Sequence, residues 1–295
     1  MKTTEGLNLL SADIDLRSSE EICRIINSED QRVAAAVADA IPQIARAVDL
    51  AVERLDAGGR LLYAGAGTSG RIGILDAVEC PPTFGIPAER ISGIMAGGFA
   101  ACYRAVEASE DHEDQGASDL EQSGINHKDV VVAIAASGRT PYTRGALRRA
   151  RELGAATIAI SCNRGAEMSS LADVAIEVDV GPEIVSGSTR MKAGTAQKLV
   201  VNMLSTATMI RLGMVFSHWM INVQATNDKL RLRALRILTE AGQVSDEQAR
   251  QFLAEAGSLP AALVMALAGV DAGTARQSLA QGGVRQALRN LGRTP

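Results

Sequence analysis

The stretch Gly59–Gly85, GRLLYAGAGTSGRIGILDAVECPPTFG, decides how the chain folds. Leu61-Leu62-Tyr63-Ala64 is a short apolar run of the kind that forms a parallel strand buried on both faces, and Gly58 and Gly59 punctuate its start. Gly65-Ala66-Gly67-Thr68-Ser69-Gly70 then removes side-chain bulk. Backbone N–H groups can approach a ligand closely there, at the start of a helix whose unpaired donors and dipole favour an anion. The order strand, bare loop, helix makes phosphate the first ligand expected.

Outward from this stretch the same unit recurs. Apolar runs follow at Ile91–Met95, Val130–Ala135, Thr157–Ile160 and Val174–Val180, most of them separated by segments of helical character. Such alternation predicts an α/β fold with a doubly wound parallel sheet of about five strands and right-handed crossovers, with ligands beyond the carboxyl ends of the strands. Residues 1–57 read as helical after an irregular start. Ser18 with Glu21 and Ser28 with Gln31 have capping-box spacing, and apolar residues from Val33 to Leu55 recur at helical intervals across a break near Pro42. After the fifth run, GPEIVSGSTRMKAGTAQKLVVNMLSTATMIRLG (181–213) predicts a polar glycine-rich loop and a long helix from about Thr189 to Leu212. The expected division is an N-terminal helical segment (1–50), a ligand-binding α/β domain (51–215), a bridge (216–231) and a small helical C-terminal domain (232–295).

Composition narrows the partners. The 295 residues are 46% hydrophobic, enough to fill a sizeable core, and 30 Lys and Arg stand against 34 Asp and Glu for a net charge of −4. No basic run interleaves with aromatics, so nucleic acid is not an expected partner. No apolar stretch approaches the roughly 20 residues needed to span a bilayer, and MKTTEGLNLL lacks the basic and apolar regions of a leader. A cytoplasmic protein without a membrane partner is the expectation. Cys23, Cys80, Cys102 and Cys162 have neither CxxC spacing nor histidine partners, which reads as buried thiols and not as a zinc or disulfide framework.

Gly65-x-Gly67-x-x-Gly70 also satisfies the dinucleotide fingerprint, so a nicotinamide enzyme competes. That reading expects a carboxylate about 20 positions on, at the end of the second strand. Ile94-Met95-Ala96-Gly97-Gly98 supplies none, whereas Thr68 and Ser69 add hydroxyl donors suited to a terminal phosphate. A second strand, Val130–Ala135, runs directly into Ala136-Ser137-Gly138-Arg139-Thr140-Pro141-Tyr142. Ser137 and Thr140 there either cap the next helix or meet the same anion, and the two roles use the same N–H groups. Gly67, Thr68, Ser69, Ser137, Gly138 and Thr140 are the candidate phosphate-binding residues.

Two hydroxyl-bearing strand-end loops of this kind resemble the sugar isomerase (SIS) domain, a flavodoxin-like fold for phosphosugars. GAGTSGRIGILDAVECPPTFG, AASGRTPY, ISCN, GSTRMKAGTAQKLVVNMLSTATMI and CRIINSEDQRV closely resemble the N-acetylmuramic acid 6-phosphate etherase family, in the right order up to ATNDKL. The resemblance implies loss of D-lactate from the C3 ether of N-acetylmuramic acid 6-phosphate, leaving N-acetylglucosamine 6-phosphate. In the open-chain sugar the C1 aldehyde acidifies the C2 proton, so a base generates an enolate that expels the C3 oxygen, and water adds back at C3. Lactate is a poor alkoxide leaving group, so a general acid must protonate it. Proton transfers of this type contribute about 10² to 10⁴ each. This chemistry requires no redox cofactor and no metal.

By motif, the resemblance maps the acid/base to Glu79 in ECPPTFG and a second carboxylate, the candidate base at C2, to Glu110 in VEASED. His112, beside Glu110, reads as part of a solvated polar loop. Geometry complicates Glu79. A helix running unbroken from Ser69 would carry it about 15 Å along the axis from the phosphate loop. Either the helix ends early and Asp76–Pro82 folds back, or Glu79 completes the site of a neighbouring subunit, which favours a homodimer. Two departures from the family wording are HWMIN at 218–222, where NLMVD is usual, and Asp228 in ATNDKL in place of Glu. Two rivals share the loops. One is a noncatalytic phosphosugar sensor resembling the glucokinase regulatory protein, and the other is an aldose–ketose phosphosugar isomerase, which needs no acid aimed at C3.

Overall fold

The computed structural model describes residues 3–106, 108–222, 228–280 and 282–293. In chain order the elements are α1 (Ser19–Asp39), α2 (Ile41–Asp56), β1 (Leu61–Gly65), α3 (Gly67–Phe84), β2 (Ile91–Met95), α4 (Ala100–Tyr103), α5 (Glu113–Gln122), β3 (Val130–Ile134), α6 (Pro141–Glu152), β4 (Ala156–Ser161), β5 (Val174–Glu177) and α7 (Lys192–Arg211). There follow β6 (Val215–Phe216), β7 (Trp219–Met220), α8 (Asp228–Gly242), α9 (Asp246–Ala256), α10 (Leu259–Ala268), α11 (Ala272–Leu279) and α12 (Val284–Asn290). The chain divides into two compact units, one of residues 1–78 and 88–205 and the other of 79–87 and 206–295.

The first unit is the doubly wound sheet that the apolar runs predict. Five parallel strands lie in the order β2-β1-β3-β4-β5. β1, β3 and β4 are buried along their whole length, which explains why their sequences are continuous apolar runs and not alternating ones. On one face Leu62, Ala64 and Val131 pack with Leu120 of α5 and with Ala146 and Ala150 of α6. On the other, α3 sits very close to β1. A Cβ at Gly70 would lie 2.8 Å from Met95 Cβ and 2.9 Å from the Gly65 carbonyl oxygen, so the third glycine of the fingerprint is a helix–strand packing residue.

Local signals fix several boundaries. Ser18 and Glu21 form the capping box that starts α1, and Pro42 lies in the first turn of α2, where its missing N–H leaves nothing unpaired. Ser28 and Gln31 start no helix. They lie inside α1, where the Ser28 hydroxyl turns back to the Ile25 carbonyl at 2.8 Å and Gln31 bonds Asn27 at 3.0 Å. Cys80 and Cys162 are buried, but Cys23 is exposed and Cys102 half-buried, so the expectation of four buried thiols holds for two. The fold-back of Asp76–Pro82 does not occur. Pro81 and Pro82 come late enough in α3 for the helix to continue to Phe84, where Gly85 in the left-handed conformation (φ 66°) ends it by donating to the Pro81 carbonyl at 2.9 Å.

The second unit has its own core. Ile237, Leu238, Leu263, Val264, Ala287 and Leu288 are buried together, and the β6–β7 hairpin adds Phe216 and Trp219 at its margin. Ser245 opens α9 with a capping box to Gln248, and Gly257 and Gly269 close α9 and α10.

Candidate functional site

β1 and β3 are neighbours with Gly65 opposite Ile134, so the chain leaves both strands side by side, about 4.8 Å apart. The strand order reverses across this pair, β1 continuing to β2 on one side and β3 to β4 on the other. Ligands of doubly wound sheets bind at such a switch point. The structure therefore brings Gly67, Thr68 and Ser69, which are the first turn of α3 and not the longer bare loop expected, together with the loop of Ser137, Gly138 and Thr140 that opens α6.

The hydroxyls are held differently. Gly67 is exposed and Thr68 half-buried, beside Gly194 of α7. Ser69 is only 8% exposed, and its hydroxyl donates to Gln197 Oε1 of α7 at 2.9 Å. The Ser137 hydroxyl accepts from the Arg139 N–H at 3.2 Å, forming a local turn. Gly138 takes φ 66°, and a Cβ there would come within 2.4 Å of Ala166 Cβ, so only glycine fits. Thr140 stands at the N-cap of α6 but its side chain makes no capping bond, so capping does not account for it.

A scaffold of buried polar groups stiffens these loops. Asn163, 1% exposed at the end of β4, donates to the carbonyls of Ala136 and Ser137 at 3.1 and 3.4 Å, and to the Thr4 hydroxyl at 2.9 Å. The Tyr142 ring packs on Ala66 and Ala96, spanning the ends of β1 and β2, while its hydroxyl donates to Asp119 of α5 at 2.8 Å. At the start of α7 the ammonium of Lys192 pairs with Glu29 of α1, both almost fully buried, and Glu183 accepts from the N–H groups of Lys192 and Ala193 at 3.0 and 2.9 Å. Burial acts upward on the Glu29 carboxyl, but hydrogen bonds from Lys192, Arg32 and Asn8 outweigh it and hold Glu29 below the usual carboxylate range.

The two glutamates are both exposed. Glu110 sits in a single 3-10 turn, Ser109–Asp111, entered through Ala108 at φ 56° and packed beside α6. Three residues on, Glu113 pairs with Arg144 at 3.7 Å and with Arg148, which ties the start of α5 to α6, the helix that the second loop opens. Glu79 is on α3, and the unbroken helix carries it about 15 Å along its axis from Ser69. Its neighbours on that helix face, Leu75 and Val78, are 50% and 59% exposed. His112 is exposed at the N-cap of α5 and makes no capping bond. One turn before Glu79, Asp76 is buried and accepts from Tyr63 of β1 at 2.7 Å and from Asn202 and Ser205 of α7 at 2.7 and 3.0 Å. Burial pushes its carboxyl above the ordinary range against the pull of those donors. Among the described residues no cluster of His, Cys, Asp and Glu is arranged to hold a metal ion, and no helix is long and apolar enough to cross a membrane.

Comparison with known proteins agrees with this arrangement. The family profile of the glucokinase regulatory protein N-terminal SIS domain matches residues 43–151, and that of the SIS domain matches 105–207. The structure of a phosphoheptose isomerase from Francisella tularensis, 21% identical, superposes with a TM-score of 0.50 over 65% of this chain and 98% of its own, a likeness of fold. An N-acetylmuramic acid 6-phosphate etherase of Geobacillus sp. is 50% identical over 97% of this chain and 98% of its own length. Etherases of Symbiobacterium thermophilum (54% identical over 90% of this chain and 89% of theirs) and Rubrobacter xylanophilus (50% over 99% and 97%) match as well. The chain belongs to the N-acetylmuramic acid 6-phosphate etherase family.

As an etherase-family chain it carries its departures in the second unit. His218 stacks on Trp219 with ring centroids 4.5 Å apart, Ile221 is buried, and Asn222 donates to the Met214 carbonyl at 3.4 Å. In ATNDKL, Ala225–Asn227 lie outside the described residues, and Asp228 begins α8 paired with Arg231 at 2.7 Å. Sequence reasoning missed Gln197 and Asp76. Gln197 had a legible signal, because Ala193, Ala196, Val200, Val201 and Leu204 form the buried stripe of α7 and Gln197 is a polar residue set into it.

Proposed function

We propose that the protein is a carbon–oxygen lyase that releases D-lactate from N-acetylmuramic acid 6-phosphate and yields N-acetylglucosamine 6-phosphate, in the cytoplasm. The observation that carries this reading is half identity to etherases over nearly the whole chain. The paired loops at the switch point hold the 6-phosphate through helix N-terminal N–H groups and the hydroxyls of Thr68, Ser69, Ser137 and Thr140. Gly67 and Gly138 keep the backbone bare enough for that approach. Glu110 removes the C2 proton of the open-chain sugar. The C3–O bond then breaks as Glu79 protonates the ether oxygen, which leaves with lactate, and ionised Glu79 takes a proton from the water that adds at C3. Glu110, its proton exchanged with solvent, then protonates C2 to close the cycle.

The distance of Glu79 from the first loop along α3 favours a homodimer in which each copy supplies Glu79 to the other. The exposed Leu75 and Val78 beside it give a second copy an apolar surface to cover. Incubating the protein with N-acetylmuramic acid 6-phosphate and assaying free lactate tests the activity. A phosphosugar sensor is the second reading, favoured by the match to the glucokinase regulatory protein domain. It predicts binding of the sugar phosphate with no lactate, and an isomerase predicts an aldose–ketose change with no lactate.

A further inference from the structure

Ser69 owns one hydroxyl proton, and in this structure α7 takes it. It is donated to Gln197 Oε1 at 2.9 Å. The other end of the same carboxamide is anomalous. Gln197 is 1% exposed, and its buried Nε2 has no acceptor among the described residues. A buried N–H donor without a partner is rare and unfavourable, because it has given up water and gained nothing. The buried residues of α7 nearest to it along the helix, Ala193, Ala196, Val200 and Val201, are apolar. The amide is thus one whose two ends are chemically unlike while only one of them is engaged, by a hydroxyl that can either donate or accept.

We propose that Gln197 is a positioning residue that sets which way the Ser69 hydroxyl points, and that binding of an anion at the first loop reverses it. With no anion present, Ser69 donates inward to Oε1. When a phosphate oxygen arrives at the N-terminus of α3, a half-turn of the carboxamide places Nε2 against Ser69 Oγ. Gln197 then donates to Ser69, and Ser69 donates outward to the phosphate. The chain N–H to O–H to anion has each donor aimed at an acceptor, and hydrogen bonds in such a chain reinforce one another. The unspent N–H of the anion-free arrangement is the donor that this second arrangement uses. An under-satisfied carbonyl oxygen takes its place, which folded proteins tolerate better than an orphaned N–H. Gln197 never touches the ligand, in keeping with its burial behind Ser69.

The inference rests on the phosphosugar reading of the first loop, and the test separates the two. The dissociation constant of N-acetylglucosamine 6-phosphate is measured by calorimetry for the native chain, Gln197→Met, Ser69→Ala and the double variant. Met keeps the buried volume but cannot donate, and its thioether accepts only weakly. Gln197→Met is expected to weaken binding about tenfold in the native background, the scale of one charge-assisted hydrogen bond. In the Ser69→Ala background it should weaken binding less than twofold, because its only route to the ligand is gone. Equal losses in both backgrounds, or none in either, overturn the relay. Gln197→Glu supplies a second reading, since a carboxylate accepts from Ser69 but cannot donate. The relay expects it to bind more weakly than Gln197→Met, and by a larger factor where Ser69 is present than in the Ser69→Ala background, where only the added charge acts. A purely structural tie between α7 and α3 expects the reverse order, because Gln197→Glu keeps the bond to Ser69. If the native chain binds the sugar phosphate and shows this coupling yet releases no lactate from the etherase substrate, the etherase reading falls and the relay stands.

Discussion

At the scale of single residues, the account assigns unlike jobs to groups that look alike in the sequence. Glu79 and Glu110 are both exposed carboxylates, and what separates them is the element each rides on, a long helix for Glu79 and a short turn beside α6 for Glu110. Glu79→Gln is expected to lower lactate release by about 10² to 10⁴, since an amide cannot deliver the proton, while affinity for N-acetylglucosamine 6-phosphate stays within about twofold. Turnover near the native rate would remove Glu79 from the mechanism. That the two hydroxyl-bearing segments leave strands of one sheet was legible, because each follows a buried apolar run. The partner of Ser69 was not, because Gln197 lies 128 positions away and only the packing of α7 on α3 unites them. The hydroxyl of Thr140, expected either to cap α6 or to meet the anion, makes no capping bond.

At the scale of elements, strands were the clearest part of the sequence. A strand buried on both faces has to be apolar throughout, and the run at Val130–Ala135 contains β3, VVVAI, buried at every position. Helix starts are less legible. A serine three residues before a glutamine has the same spacing at a helix start and in mid-helix, and Ser28 and Gln31 proved to be the latter. The start of α7 falls at Lys192, three residues after the expected Thr189, because Glu183 and the buried Glu29–Lys192 pair anchor its first turn. That pair gives a pH-dependent prediction. Glu29→Gln leaves a buried ammonium uncompensated and should destabilise the protein by about 3–5 kcal/mol at pH 7, measured by urea unfolding. Glu29 titrates lower folded than unfolded, so its contribution is present above the unfolded value of 4.5 and is lost as pH falls through the folded value. The gap between native and variant should therefore narrow below about pH 4.5. A gap that is constant with pH would mean that the charge of Glu29 is not what matters.

At the scale of the whole molecule, sequence gave no way to decide whether α3 folds back or runs on, because two adjacent prolines can end a helix or sit in its last turn. The helix runs on, and the account then needs a second copy to deliver Glu79. In the proposed homodimer Leu75→Glu, on the exposed face of α3, should give a monomer in sedimentation and lower lactate release at least tenfold, whereas a native chain that is monomeric at full activity contradicts the shared site. The central claim is that the C3–O bond breaks by elimination and that water rebuilds C3. Running the reaction in water labelled with both oxygen-18 and deuterium and weighing the products by mass spectrometry tests it most directly. The account predicts N-acetylglucosamine 6-phosphate with one solvent oxygen at C3 and one solvent deuteron at C2, and lactate that keeps its ether oxygen. Lactate carrying the solvent oxygen, with C2 unlabelled, would contradict it.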